Sequence, residues 1–429
     1  MLSPSPASPA EQSAAPPIGG SYLGLLRQNR DFRLFYLATL ISLMGDWFLI
    51  VALLDLVLEM TGRATLATLV VVAVNLPVFL ATPWAGTQVD RLDRRKLMMA
   101  VDIGRAGAAL LPLLATTPGR LWIAYVGMAL ISVGSAYFDP AADAAVPNLV
   151  AKADLGRANA LLGSAWGTMM AAGSAIGGLV TAHLGRSTSF LINAASFLLS
   201  VLLLGLVRTP FSETATRARP SQPFVTATRE ALAYAWDRPR VLALLTGKGG
   251  YCIAAGGVAL LGVFGREHFA PGGGPSGPTG ISLLFVARGI GALLGPIALR
   301  SLVRDGDRMN FAIAPCIALF GISYLGLSLP MGFAVGALCV LCGHMGGGAE
   351  WMASTYGLQR EIPDELRGRI FAVDYGLATL AISVSSLAAG FLADAYGAPT
   401  VASLMAVVSL VWATTWSVVT YRLWDLKRT

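Results

Sequence analysis

A chain of 429 residues with 55% hydrophobic and 13% charged side chains is excluded from the soluble class, since soluble domains carry roughly 25% charged residues and could not cover so much apolar surface. The formal net charge is +7, and its basic residues are scattered over short segments rather than gathered in one stripe. That pattern excludes a nucleic-acid footprint and suits loops that face lipid headgroups.

Residues 1–30 begin rich in Pro, Ala and Ser and are expected to be a disordered N-terminal segment. No charged region with a short apolar core and cleavage site precedes the first span, which is expected to be its own insertion signal. A helix needs about 20 mainly apolar residues to cross the hydrocarbon core. Residues 31–207 supply six such segments, near 32–58, 66–87, 97–115, 121–143, 158–182 and 187–207. A polar linker over 208–239 interrupts the rhythm with Arg217, Arg219, Pro220 and Pro223. Within it, 227–236 reads either as a short amphipathic helix on the membrane surface or as a plain tether. Residues 240–424 supply six more segments, near 240–264, 280–300, 309–329, 331–353, 369–394 and 398–421, with 425–429 as a tail. The ninth and tenth are divided only at Leu329-Pro330. Alternating ten-residue stretches of the barrel type are absent. The expected fold is an all-α membrane protein with 12 transmembrane helices in two six-helix bundles.

Positive charges near helix ends stay on the cytoplasmic side. Of the 31 Lys and Arg residues, four (Arg63, Arg120, Arg186, Arg266) fall on one side and three (Arg105, Lys248, Arg288) within segments, leaving the rest on the side of the N-terminus. Both termini are therefore expected in the cytoplasm, with the chain multi-pass in the plasma membrane. Cys252, Cys316, Cys339 and Cys342 all lie in apolar segments, where a thiol behaves as a small hydrophobe. The Cys339-x-x-Cys342 spacing lacks the βαβ context of a redox motif.

Between the second and third segments stands Gly86-Thr-Gln-Val-Asp90-Arg91-Leu-Asp-Arg94-Arg95. Gly lets two helices approach closely, and Asp90 can accept hydrogen bonds from a helix N-terminus or a guanidinium. Arg94, Arg95 and Lys96 also serve as a positive anchor, which does not explain Asp90. Six plus six segments, a cytoplasmic linker and this loop resemble the major facilitator superfamily, whose motif A runs roughly G-x-x-x-D-R-x-x-R-R. Gly86, Asp90, Arg91, Arg94 and Arg95 match it position by position. The resemblance implies that these residues latch the cytoplasmic side while the outside is open, and Asp374 is placed where the latch would find a partner in the other half. Asp139 and Asp143 are expected within reach of Arg91 or Arg94. The corresponding loop of the second half, from Gly291 through Arg300 to Asp307, keeps small residues but not the Asp-Arg pair in register.

Asn29-Arg-Asp31-Phe-Arg33, Gly45-Asp46-Trp47, the stretch from Pro147 to Asn159 and the stretch from Gln359 to Arg369 are similar to the branch of macrolide-efflux and enterobactin-export proteins. Gly173-Ser174-Ala-Ile-Gly177-Gly178 is similar to the family's antiporter motif C, with Ser174 replacing its proline. The resemblance tilts toward export; tight helix packing explains the same glycines.

Ionisable residues inside a membrane are costly and usually functional. Asp46 lies about 21 Å along the first segment from Phe32 and is the leading proton-coupling candidate; the other is Glu350. A structural acceptor role is the competing account of Asp46. Lys248 and Arg288 either bind an anionic substrate group or neutralise Asp46 or Glu350. Arg105, three residues after Asp102, is read as its structural partner. Trp47, Trp166, Met170, Trp351 and Tyr375 are cavity candidates, because Met and aromatic side chains repack around bulky ligands; at helical spacing such residues are more often core than pocket.

These features predict a secondary transporter that exports an amphipathic small molecule against protons by alternating access. A monomer in the bilayer suffices, no cofactor or metal is called for, and no nucleic-acid partner is implied. A dedicated exporter of one metabolite, such as a siderophore, fits the same machinery. From other classes stand a non-transporting sensor and a membrane enzyme with Asp46 or His344 as acid or base, though no nucleophile, metal cluster or nucleotide loop accompanies them.

Overall fold

The computed structural model describes residues 21–89, 91–211, 224–269, 274, 276–303 and 306–424, and every regular element among them is helical. Within the segment expected to be disordered through residue 30, Tyr22–Gln28 form a first helix, α1; residues 1–20 and the tail 425–429 lie outside the described residues.

The first half contains α2 (Arg30–Thr61), α3 (Ala64–Val89), α4 (Arg94–Ala108), α5 (Leu121–Leu149), α6 (Leu155–Leu184) and α7 (Arg186–Gly205). Helix α2 starts where the Asn29 side chain accepts from the Phe32 amide at 2.8 Å, an N-cap that satisfies one orphan donor. It ends where the Gly62 amide donates to the Leu58 carbonyl. Asp93 caps α4 in the same way through the Lys96 amide at 2.9 Å. The third segment, expected to run to 115, stops as α-helix at Ala108 and continues as a tighter turn over Leu111–Leu114, where Pro112 removes a donor.

In the linker, α8 (Phe224–Trp236) buries Ala231 and Ala235 while Leu232 and Trp236 stay exposed. Glu230 ties it to Arg369 at 2.5 Å. The seventh segment, expected as one helix, is broken into α9 (Pro239–Gly247), α10 (Gly249–Ala254), α11 (Gly256–Ala259) and α12 (Leu261–Val263), and it ends in a π turn over Phe264–His268. Glycines flank the first two breaks, Gly247 and Gly249 around Lys248 and Gly256 after Ala255, where they weaken helical continuity. Then come α13 (Gly277–Leu302), α14 (Ile313–Leu327), α15 (Phe333–Glu361), α16 (Asp364–Tyr396) and α17 (Ala398–Thr420). Helices α14 and α15 separate around Leu329-Pro330, as the sequence pattern expected.

Eleven helical stretches among the described residues are long and apolar enough to cross a membrane. Helix α6 is 30 residues long but is diluted by Gly, Ser, Thr and Asn and is not one of them. Many large apolar side chains point outward, including Leu302, Val418 and Val419 at 81%, 74% and 71% exposure, which is a surface for lipid rather than water.

Helix α2 packs on α6 and α7, α4 on α5 and α7, and α3 on α5; in the second half α13 and α14 pack on α15, and α14 on α17. Two long contacts join the halves, α6 with α13 and α3 with α16. The turns at Gly185, between α6 and α7, and Gly397, between α16 and α17, both take φ +85°, a left-handed conformation that favours glycine. The two halves thus repeat a turn that their sequences disguise.

Candidate functional site

Asp46 projects from α2 toward α4. The Arg105 guanidinium meets its Oδ2 at 2.9 Å and the Oδ1 of Asp102, one turn back on α4, at 3.1 Å. Arg105 also donates to the Ser42 hydroxyl at 3.2 Å and lies over the Phe197 ring at 4.2 Å. Gly134 on α5 makes room for its stem, since a Cβ there would stand 2.6 Å from Arg105 Cγ. Side-chain exposure is 4% for Arg105, 0% for Asp102 and 17% for Asp46. Two carboxylates therefore share one buried guanidinium, and Asp46 is the member that reaches open space. Its Oδ1 accepts no hydrogen bond among the described residues.

That space is a central cavity of about 270 Å³, whose wall includes Asp46, Asp139, Trp47, Trp166, Arg288 and Tyr375. The Trp47 and Trp166 rings meet edge to face at 5.9 Å, and Phe285 of α13 tilts against Trp47 at 5.9 Å. The glycine stripe of α6 sets this geometry. A Cβ at Gly173 would stand 2.8 Å from the Met44 carbonyl and one at Gly177 2.9 Å from Phe48 Cα, both on α2; one at Gly178 would overlap Ser282 of α13. Ser174, where the family motif has proline, is fully buried within an unbroken helix.

A second charged cluster lies in the other half. Lys248, beside the first break of the seventh segment, is ion-paired with Asp374 of α16, contacts the Thr355 hydroxyl at 3.3 Å and lies over the Trp351 ring at 4.4 Å. Glu350 is fully buried, and neither of its oxygens accepts a hydrogen bond among the described residues. His344 is bonded through Nε2 to the Tyr324 hydroxyl at 3.0 Å.

Several sequence expectations change here. Asp374 belongs to Lys248 of its own half and not to the charged loop after α3, because it faces inward along α16 while Tyr375, one residue on, faces the cavity. Lys248 accordingly neutralises neither Asp46 nor a cavity ligand. Met170, Trp351, Lys248 and Glu350 are not on the wall of this cavity, and Met170 is core at 0% exposure. Arg94 donates to the Ala144 carbonyl of the first half and the Phe211 carbonyl at the start of the linker, at 2.9 and 3.2 Å, and Arg95 to the Gly205 carbonyl; none of these is in the second half. Arg91 is exposed, Gly86 lies within α3, and Asp90 is outside the described residues. Asp139 faces the cavity rather than Arg91 or Arg94. Sequence reasoning missed the second partner of Arg105, as well as Asp139 and Phe285 on the wall; the Asp102-Arg105 spacing was the one local hint.

The end of the molecule where α2 gives way to α3 is tied across the halves. Asp55, 2% exposed, pairs with Arg186 of α7 at 2.6 Å and with Arg266 of the second half. Glu59 contacts both arginines. Asp394 of α16 accepts from the Ala64 and Thr65 amides at 2.6 and 3.3 Å and from the Thr65 hydroxyl at 2.5 Å. It thereby caps the N-terminus of α3 from the opposite half.

Comparison with known proteins places this geometry in a family. The chain is similar to the multidrug efflux pump Tap of Mycolicibacterium fortuitum, 29% identical over 85% of this chain and 89% of that protein. It is 30% identical to the Tap pump of Mycobacterium tuberculosis over 85% and 87% of the two chains, and 24% identical to macrolide efflux protein A of Streptococcus pyogenes over 83% and 88%. In fold it is similar to a crystal structure of a POT family transporter, with TM-score 0.73 at 13% identity over 92% of this chain and 97% of that one. The Major Facilitator Superfamily model matches residues 35–375, and the chain therefore belongs to that superfamily, as a multi-pass membrane transporter that resembles macrolide-efflux proteins and not an enzyme.

Proposed function

We propose that this transporter exports amphipathic drug-like or natural-product compounds in exchange for protons, by alternating access between two six-helix bundles. Asp46 carries the proposal, because it touches both the cavity and the buried Arg105 that also holds Asp102. A proton arriving on Asp46 cancels its attraction for Arg105 and leaves the guanidinium to Asp102. The α2–α4 contact then depends on whether the cavity has delivered a proton, which is the link an exchanger needs. Glu350, buried beside the Lys248–Asp374 pair, is the second coupling candidate. The names of the Tap and macrolide efflux relatives support export of small molecules.

In this reading α6 is the twelfth span, α2–α7 and α9–α17 are the two bundles, and 208–239 links them on the cytoplasmic side. Both termini are cytoplasmic, the chain is a monomer in the plasma membrane, and the Asp55–Arg266 and Asp394 contacts close the outer face. Gly86, Asp90, Arg91, Arg94 and Arg95 would latch the cytoplasmic side in the opposite state, when Arg94 and Arg95 exchange carbonyls of their own half for partners across the gap.

Everted vesicles from an efflux-deficient cell test the proposal with a panel of amphipathic dyes and antibiotics. The wild-type chain is expected to accumulate a compound and discharge an imposed inside-acid gradient as it does so, and Asp46→Asn to do neither. Accumulation that survives an uncoupler would sink proton exchange.

A further inference from the structure

We infer that Arg288 is the docking point for a carboxylate or similar anionic group on a flat aromatic substrate. This deepens the export reading and rests on it for the identity of the cavity as the substrate site. Arg105 and Lys248, the other cations buried among the helices, each hold a carboxylate, Asp46 with Asp102 in one case and Asp374 in the other. Arg288 of α13 makes no ion pair within 4 Å among the described residues; its guanidinium lies beside the Tyr251 hydroxyl on the same wall, and its buried Nε has no partner. Asp46, on the same wall, is committed to Arg105 at 2.9 Å. A guanidinium at membrane depth needs an anion, water or a polar cavity to offset its desolvation, and Arg288 lies on the cavity wall.

Its setting is aromatic. The guanidinium carbon lies 6.0, 5.8 and 5.7 Å from the ring centroids of Trp47, Trp166 and Phe285, within cation–π range. These rings come from α2, α6 and α13, and they converge because Gly289, next to Arg288, lets α13 touch α6: a Cβ there would stand 2.6 Å from the Ala171 amide nitrogen. A planar aromatic body can lie on the exposed Trp166 indole while its carboxylate takes two parallel hydrogen bonds from the guanidinium, a geometry lysine cannot reproduce. The volume of about 270 Å³ lies just below the roughly 300–1,000 Å³ typical of small-molecule sites, so the ligand is compact.

Binding to the purified full-length chain, measured without any gradient, separates this inference from the direction and coupling of transport. The probes are 2-naphthoate, its neutral isostere 2-naphthamide and the cation 2-naphthylmethylammonium, titrated by calorimetry in detergent. Wild type is expected to bind the carboxylate at least tenfold more tightly than the amide, with the ammonium weakest. Arg288→Gln should collapse the carboxylate-to-amide ratio to near one while retaining amide binding, and Arg288→Lys should restore only part of it. The ratio is read within each variant, so a partly unfolded preparation does not alter it. Equal affinity for naphthoate and naphthamide in wild type, or a ratio unchanged in Arg288→Gln, overturns the assignment. A wild type that shows the ratio but moves neither the probes nor any compound of the dye and antibiotic panel in vesicles would leave the anion site standing and refute the export reading alone.

Discussion

Removing Arg266 should bias the transporter toward its outward-open state, whereas removing Arg186 should not, although both arginines hold the same carboxylates. Arg186 and Asp55 belong to one half, so their pair survives when the halves separate; Arg266 belongs to the other and must let go. Asp55 is 2% exposed and Arg266 18%, so the contact lies between an exposed pair, worth at most about 1 kcal/mol, and a buried one, whose breakage costs about 3–5 kcal/mol. The Glu59 contact is half exposed and screened, and Arg186 continues to neutralise Asp55 after the change. About 1–3 kcal/mol is then the gate contribution of Arg266, a shift of roughly 5- to 150-fold in the conformational equilibrium. Spin labels near the ends of α2 and α12, with the distance distribution read by pulsed electron resonance, would measure it. Arg266→Gln is expected to enrich the longer distance and Arg186→Gln to leave it unchanged. Equal shifts from both, or none from Arg266→Gln, would refute the gate.

Arg105→Ala leaves Asp46 and Asp102 without their cation and should destabilise the folded protein by about 3–5 kcal/mol, while Asp46→Asn keeps the Arg105–Asp102 pair and should cost far less; thermal unfolding in detergent compares the two. Lys248→Met should be similarly damaging because Asp374 is stranded beside Glu350, and adding Asp374→Leu should restore most of the loss; a double mutant no more stable than the single one would contradict the pairing. Gly178→Ala should cost about 1–3 kcal/mol through overpacking against Ser282, with Ser282→Gly relieving it; independent, additive effects would show that the α6–α13 contact is looser than described.

Eleven of the twelve expected spans were legible because an apolar run of membrane length needs no tertiary context. The broken seventh segment was misread as a single helix, since its hydropathy hides the glycines at 247, 249, 250, 256 and 257 that interrupt it. Depth along α2 singled out Asp46, and side-chain chemistry singled out Trp47, Trp166, Arg288 and Tyr375, which the fold gathers on one cavity wall. Partnership was not legible. Arg105 and Asp46 are 59 positions apart, Lys248 and Asp374 126, and only the rotation of each helix about its axis decides which charges meet. Rotation also explains why Asp374 and Tyr375, adjacent in sequence, serve different surroundings.

Asp394 completes a helix that belongs to the other half of the molecule. Parting the halves at that end is therefore also a fraying event: the first turn of α3 loses its acceptor, at a cost of about 0.5–2 kcal/mol for a lost cap. The amide protons of Ala64 and Thr65 are shielded from exchange only while the gate is shut. Two backbone hydrogens thus keep a record of how long the protein spends in each state, readable by deuterium uptake with no label or ligand added.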